Sequence, residues 1–188
     1  MIINQREIGE NYPPYIIAEM SANHNGKIEN AFKLIEIAKQ SGADAVKMQT
    51  YTADTLTINS TSKDFMIRGG LWDGKSLYQL YEEANTPWDW HKDLFQYANN
   101  LGITIFSSPF DASAIDFLED LNTPAYKIAS FEAVDIPLIK YAASTGKPMI
   151  ISTVMINKDE IHEAADAAYS AACSSSLCKQ LSRFSRKL

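Results

Sequence analysis

Five short apolar runs, Tyr15–Met20, Ala43–Gln49, Ile103–Ser107, Ala125–Ser130 and Pro148–Thr153, are separated by longer stretches of helical periodicity. That alternation is the pattern of successive βα units with parallel strands. The runs are near-continuous in apolar residues, as strands covered on both faces should be. Each closes on polar residues, which in a parallel α/β fold gather at the C-terminal ends of the strands, where such folds carry their sites.

The intervening helices have legible ends. In Gly26–Ser41 the residues Ile28, Ala31, Phe32, Ile35 and Ala38 form one stripe, and Gly42 stands where a left-handed C-terminal cap belongs. Thr86-Pro87 predicts a capping residue followed by a proline at the first helical position. Asp111 and Asp135 are placed to cap the next two helices, and Asn157 with Glu160 forms a capping-box pattern before the last. Residues 52–75 break the rhythm with a long connection rich in Thr and Gly, of a length that is functional or disordered in most proteins.

Five such units fit an open doubly wound sheet or an arc of an eight-fold barrel. No Gly-x-Gly-x-x-Gly follows the first strand, so a dinucleotide-binding sheet is unsupported. A complete barrel takes about 250 residues, and this chain has 188. The fold class expected is α/β: a partial TIM-type (β/α)8 barrel of about five to six βα units. One domain is expected over residues 1–173. After it a sixth strand is due, and the Ser-rich tail 174–188 contains none. Lys179, Arg183, Arg186 and Lys187 make that tail basic without a single acid, and it reads either as a flexible terminus or as sequence foreign to the fold; the second is preferred.

The composition, 46% hydrophobic and 21% charged, is that of a globular chain. A net charge of −6 argues against a nucleic-acid partner. No run approaches the roughly 20 apolar residues of a membrane span, and MIINQREIGENYPPY lacks the pattern of a secretory signal. Cys173 and Cys178 read as ordinary thiols. A cytoplasmic protein is expected, with neither nucleic acid nor membrane as partner.

The strand ends carry the candidate chemistry. Strand one leads into Glu19, Asn23, His24 and Asn25; strand two carries Lys47 and Gln49, two apart and so on one face. Ser107, Ser108 and Asp111 follow on strand three, Lys127, Ser130 and Glu132 on strand four, and Ser152 and Thr153 on strand five. Two lysines and several hydroxyls around one mouth suit an anion, with lysine acting as a point charge for phosphate. A lysine in an apolar strand is costly unless paired, so each has a bland reading too, an ion pair with Glu19 or Glu132 that plugs the barrel. His24 is expected as a hydrogen-bonding partner before a ligand, and Trp72, Tyr78, Tyr81, Trp88 and Trp90 as packing before a sugar platform. A Schiff-base aldolase would also want a desolvated barrel lysine. From the residues alone the reading is a barrel enzyme acting on a phosphorylated small molecule.

Ala18-Glu19-Met20-Ser21-Ala22-Asn23-His24-Asn25-Gly26, Lys47-Met48-Gln49-Thr50, Ser108-Pro109-Phe110, Tyr126 through Glu132, and Gly146-Lys147-Pro148 through Ser152-Thr153 resemble the sialic acid synthase family in order and spacing. Leu71 through Lys75, Leu77-Tyr78, Thr86-Pro87-Trp88, His91 and the Ala129-Ser130-Phe131-Glu132 segment resemble its pseudaminic acid branch. The resemblance spans roughly residues 3–172 and implies condensation of phosphoenolpyruvate with an open-chain acetamido-trideoxy hexose to give pseudaminic acid, with C–O cleavage and phosphate release. Neuraminic and legionaminic acid synthases, or a fragment without catalytic function, are the alternatives. By motif, Lys47, Ser108, Lys127, Ser130 and Ser152 would hold phosphoenolpyruvate, Asn23 and Gln49 would line the substrate pocket, and Glu19 would contact the sugar. Glu132 is the acid–base candidate, with Glu19 grouped beside it as catalytic. The family's divalent metal (Mn²⁺ or Mg²⁺) is held by two histidines after strand five that find no match; His162 lies mid-helix and corresponds to neither, so no metal ligand is assigned in this chain. The family's C-terminal domain and the homodimer that depends on it also have no counterpart in the sequence. Val154 stands where the family has glycine, a costly exchange if that position needs positive φ.

Overall fold

The computed structural model describes residues 1–21 and 24–174. An antiparallel hairpin, β1 (Ile2–Ile3) and β2 (Arg6–Glu7), turns through Asn4 and Gln5, both at positive φ. Then come β3 (Ile17–Ser21), α1 (Ile28–Gln40), β4 (Ala45–Thr50), α2 (Ala53–Leu56), α3 (Leu77–Ala84) and α4 (Trp88–Leu101). The second half runs β5 (Thr104–Pro109), α5 (Ala112–Asp120), β6 (Tyr126–Ile128), α6 (Ile136–Ser144), β7 (Met149–Ile151) and α7 (Lys158–Ser174).

The sheet decides between the two α/β architectures. Its order is β3-β4-β5-β6-β7, every neighbour parallel and every strand paired with the next in sequence. A doubly wound sheet reverses its order at a switch point. This one does not, so the five units form an arc of the expected barrel.

The helix ends follow their sequence signals with one exception. Gly42 takes φ +82 after α1. Asp111 accepts from the Ser113 and Ala114 amides, and Asp135 from Leu138 N at 3.0 Å. Asn157 accepts from the Asp159 and Glu160 amides while its own N–H donates to Glu160. The exception is Thr86. The flanking residue of α4 is Pro87, and Thr86 makes no cap; its hydroxyl is fully buried and bonded to His24 Nε2 at 3.1 Å. A buried imidazole offered a threonine a better partner than the orphan amides of a helix end, which water also satisfies. The long connection is structured as well. Ser76 caps α3 in a reciprocal pair with Gln79, and Met66 bridges Ser76 to close a loop whose tip exposes Leu71 and Trp72.

Strand alternation splits the apolar residues into two layers. Val46, Met48, Ile105, Tyr126 and Ile128 face the helices, packing on Ala31, Ile35, Leu94, Leu118 and Ile139. The concave face holds a smaller layer, Ala45, Phe106 and Ala125, with Ile17 and Ile150, capped by Ile3 of the hairpin. An Arg6–Asp44 ion pair and a 3.0 Å hydrogen bond from Asn4 Nδ2 to Thr104 Oγ1 hold the hairpin there. Among the described residues no helix is long and apolar enough to cross a membrane.

Candidate active site

The concave apolar layer ends abruptly. Two residues further along each strand, and so on the same face, Ile17 gives way to Glu19, Ala45 to Lys47, Phe106 to Ser108, Ala125 to Lys127 and Ile150 to Ser152. Each of the five strands thus changes from apolar to polar toward its C-terminal end, the side where barrels place their chemistry.

Lys47 is 8% exposed despite its charge. Its Nζ lies 2.6 Å from Glu19 Oε2, and it reaches Ser108 Oγ at 3.5 Å, the outer limit of a hydrogen bond. Glu19 is aimed by its own strand: Ser21 N donates to Glu19 Oε1 at 2.9 Å across a register shift in β3. Ser21 adopts φ +51, a conformation costly for a residue with a Cβ, and its hydroxyl donates to Gln49 Oε1 at 3.1 Å. So Glu19, Ser21, Lys47, Gln49 and Ser108 form one polar patch over β3–β5.

Lys127 differs from Lys47. Among the described residues no carboxylate stands within ion-pair distance of it. Its pKa is lowered, first by burial and then by the charge of Lys47, with Glu19 and Glu132 pulling the other way. The two lysines therefore feel one another across the mouth, and only one is neutralised. Glu132, in the short 3₁₀ turn Glu132–Val134 after β6, carries a buried Oε2 without a hydrogen-bond partner. Burial pushes its carboxyl above the usual carboxylate range, with the backbone bond and Lys127 opposing. Ser130 and Ser152 are half-buried beyond β6 and β7 on the same rim. Asn23 lies outside the described residues, as do Cys178 and the tail from residue 175. Val154 is 85% exposed and not at positive φ, so the exchange with glycine costs no backbone strain here.

The unpartnered Glu132 oxygen gives a measurable sign. A folded-state pKa above 4.5 means the unfolded chain loses this proton first as pH rises. Stability therefore falls through the window between the two values and stays low above it. Glu132→Gln should raise thermal stability at pH 8 by about 1 kcal/mol, roughly 2–4 °C for a chain of this size. The gain should vanish below pH 4.5. Melts of both proteins across pH 4–8 measure it, and a gain that does not change with pH would contradict the assignment.

His24 proves a packing residue, buried edge-on to Trp90, with Nδ1 accepting from Gly26 N and Nε2 facing Thr86. Burial lowers its pKa, favouring the neutral ring. Trp88 stacks on Phe117, and Tyr51 sits edge-on to Tyr81 and Phe110. His91 was visible in the sequence only as part of a motif. It is completely buried behind the site, and nothing in the helical pattern around it marks its role.

Comparison with known proteins points one way. The model of the NeuB family matches residues 34–184. The pseudaminic acid synthase of Campylobacter jejuni is 51% identical over 152 residues, covering 81% of this chain and 44% of that protein. The N,N'-diacetyllegionaminic acid synthase of Legionella pneumophila is 37% identical, covering 84% of this chain and 44% of that protein. The crystal structure of N-acetylneuraminic acid synthetase from Leptospira borgpetersenii, in complex with citrate, superposes with a TM-score of 0.78 at 25% identity, covering 91% of this chain and 55% of that one. The chain spans about half the length of the curated relatives it matches.

Proposed function

The chain belongs to the NeuB family, and on that premise we propose that its strand ends hold phosphoenolpyruvate for condensation with an open-chain acetamido sugar to give pseudaminic acid. The observation that carries the reading is Lys127, a partly desolvated cation that feels the charge of a second lysine and, among the described residues, has no carboxylate at ion-pair distance. Removing an ammonium from water without compensation is unfavourable, and a dianionic phosphate or a carboxylate supplies the compensation.

The proposed reaction joins the enol carbon of phosphoenolpyruvate to the sugar aldehyde. Water adds at the neighbouring carbon, the C–O bond to phosphate breaks, and a ketone and inorganic phosphate remain. Lys47 and Lys127 neutralise the phosphate and carboxylate, and Ser108, Ser130 and Ser152 bind the remaining oxygens with Asn23 and Gln49 along the pocket wall. Glu19, tethered to Lys47, keeps that ammonium aimed into the mouth and meets the sugar. Glu132, whose carboxyl burial pushes above the usual carboxylate range, is the acid–base group assigned to the aldehyde oxygen as the carbon–carbon bond forms. A divalent metal would polarise that aldehyde. The described residues do not hold one by themselves, since no three His, Cys, Asp or Glu side chains among them come together as a metal site.

Pseudaminic acid is preferred over legionaminic acid because the identity to the synthase of the first, 51%, exceeds that to the second, 37%. Titrating phosphoenolpyruvate into the chain with ³¹P NMR and calorimetry tests the anion site. Saturable binding that inorganic phosphate competes with is expected, and absence of binding at millimolar ligand would sink the reading. The lowered pKa of Lys127 also suits a Schiff-base enzyme; a borohydride-reducible adduct on Lys127 would favour that chemistry instead.

A further inference from the structure

Behind the mouth, on the helix-facing side of the strands, runs a buried polar chain that no step of the proposed reaction uses. His91 Nδ1 lies 3.1 Å from Pro87 O, which only accepts, so Nδ1 carries the proton. Nε2 is then bare in the neutral ring and accepts from Thr50 Oγ1 at 2.9 Å. Thr50 Oγ1, its own proton committed, accepts from Ser107 Oγ at 2.7 Å. His91, Thr50 and Ser107 are all 0% exposed. Burial holds the His91 pKa down at about 4, so the ring stays neutral at physiological pH and the direction of every bond is fixed. On the far side of Pro87 the run continues through Thr86 to His24 and the loop after β3.

Every strand-borne member of this chain is the immediate neighbour of a residue of the mouth. Thr50 follows Gln49 and Ser107 precedes Ser108, and alternation sends each pair to opposite faces. Gln49 and Ser108 are themselves partners in the β4–β5 register. Resting on the phosphoenolpyruvate reading of that mouth, we propose that His91 is a positioning residue that locks the ends of β4 and β5 from behind, so that Lys47, Gln49 and Ser108 present a fixed anion cradle. A parallel pair near its C-terminal end has few remaining ladder bonds, and a one-residue slip would turn Ser108 away from the mouth. The side-chain chain opposes that slip where the ladder runs out. It also gives a reason for polar residues at positions where Val or Leu would pack against the helices without needing partners.

The test is NMR of the wild-type chain beside His91→Gln, whose amide oxygen can replace Nε2 as acceptor, and His91→Leu, which fills similar space without one. In the wild type the ring ¹⁵N signals should show a protonated Nδ1 and a bare Nε2, the opposite tautomer to His24. His91→Leu should move the backbone amides of Gln49 and Ser108 while leaving those of α6 in place, and weaken phosphoenolpyruvate about tenfold. His91→Gln should restore the amide positions and bring the affinity within about twofold of wild type. Unmoved Gln49 and Ser108 amides in His91→Leu would overturn the proposal, as would equal losses in both variants. If the wild type binds no phosphoenolpyruvate, the substrate reading fails, while the amide shifts still decide for or against the lock.

Discussion

Lys127→Ala is expected to weaken phosphoenolpyruvate binding roughly 30-fold, about 2 kcal/mol for one lost charge-assisted contact, and to raise the melting temperature of the unliganded chain. The two signs share one cause. Lys127 is a partly desolvated cation with another lysine nearby, so holding its charge costs the empty fold free energy. Bound phosphate or carboxylate turns that cost into an interaction. Lys47 is the weaker choice for the experiment because Glu19 already compensates it at 2.6 Å. Its removal strands a carboxylate at the same mouth and mixes two effects. Calorimetric titration of Lys127→Ala and Lys127→Met, with melts of both, checks the prediction. Unchanged affinity in both would remove Lys127 from the site. A lowered melting temperature would show that its charge is compensated in the fold after all.

The legible part of this molecule is the part written with period two. Polar residues closing each apolar run located the mouth, and placing Lys47 and Gln49 on one strand face was enough to bring them beside Ser108 and Glu19. The sequence also left open which lysine would be neutralised, since both have a glutamate in prospect: Lys47 found Glu19, whereas Lys127 and Glu132 do not pair. That outcome depends on side-chain reach across strands, which spacing along one chain does not encode. The polar side chains of the opposite face were harder to read. Thr50 and Ser107 sit in apolar strands where a hydroxyl has no periodic signature, and Thr86-Pro87 imitates a helix start so well that its buried bond to His24 was hidden. Only the fold brings residues 24, 50, 86, 91 and 107 to one buried seam. The concave apolar layer was likewise concealed, because near-continuous strands do not announce which apolar residue faces which side.

That layer carries the largest stability effect. Phe106 is fully buried on the concave face, packed with Ala45, Ala125 and Ile3 of the hairpin. Ala45 and Ala125 beside it are too small to fill the void that truncation leaves, and the hairpin is held from below by the Arg6–Asp44 and Asn4–Thr104 contacts rather than free to collapse inward. Phe106→Ala should therefore cost about 3–5 kcal/mol, out of a typical total of about 5–15. For a chain of this length that is a fall of roughly 6–20 °C in melting temperature. Urea unfolding of the two proteins measures it, and a loss below about 1 kcal/mol would mean that the hairpin does not seal this layer. The same variant separates fold from site. Phe106 lies two residues before Ser108 on the same strand face and contributes no polar atom to the mouth, so at temperatures where the variant stays folded its phosphoenolpyruvate affinity should match the wild type. Lys127→Ala is expected to do the reverse, gaining stability while losing ligand. Opposite responses from two positions on one concave surface are what a sheet divided into an apolar floor and a charged rim requires.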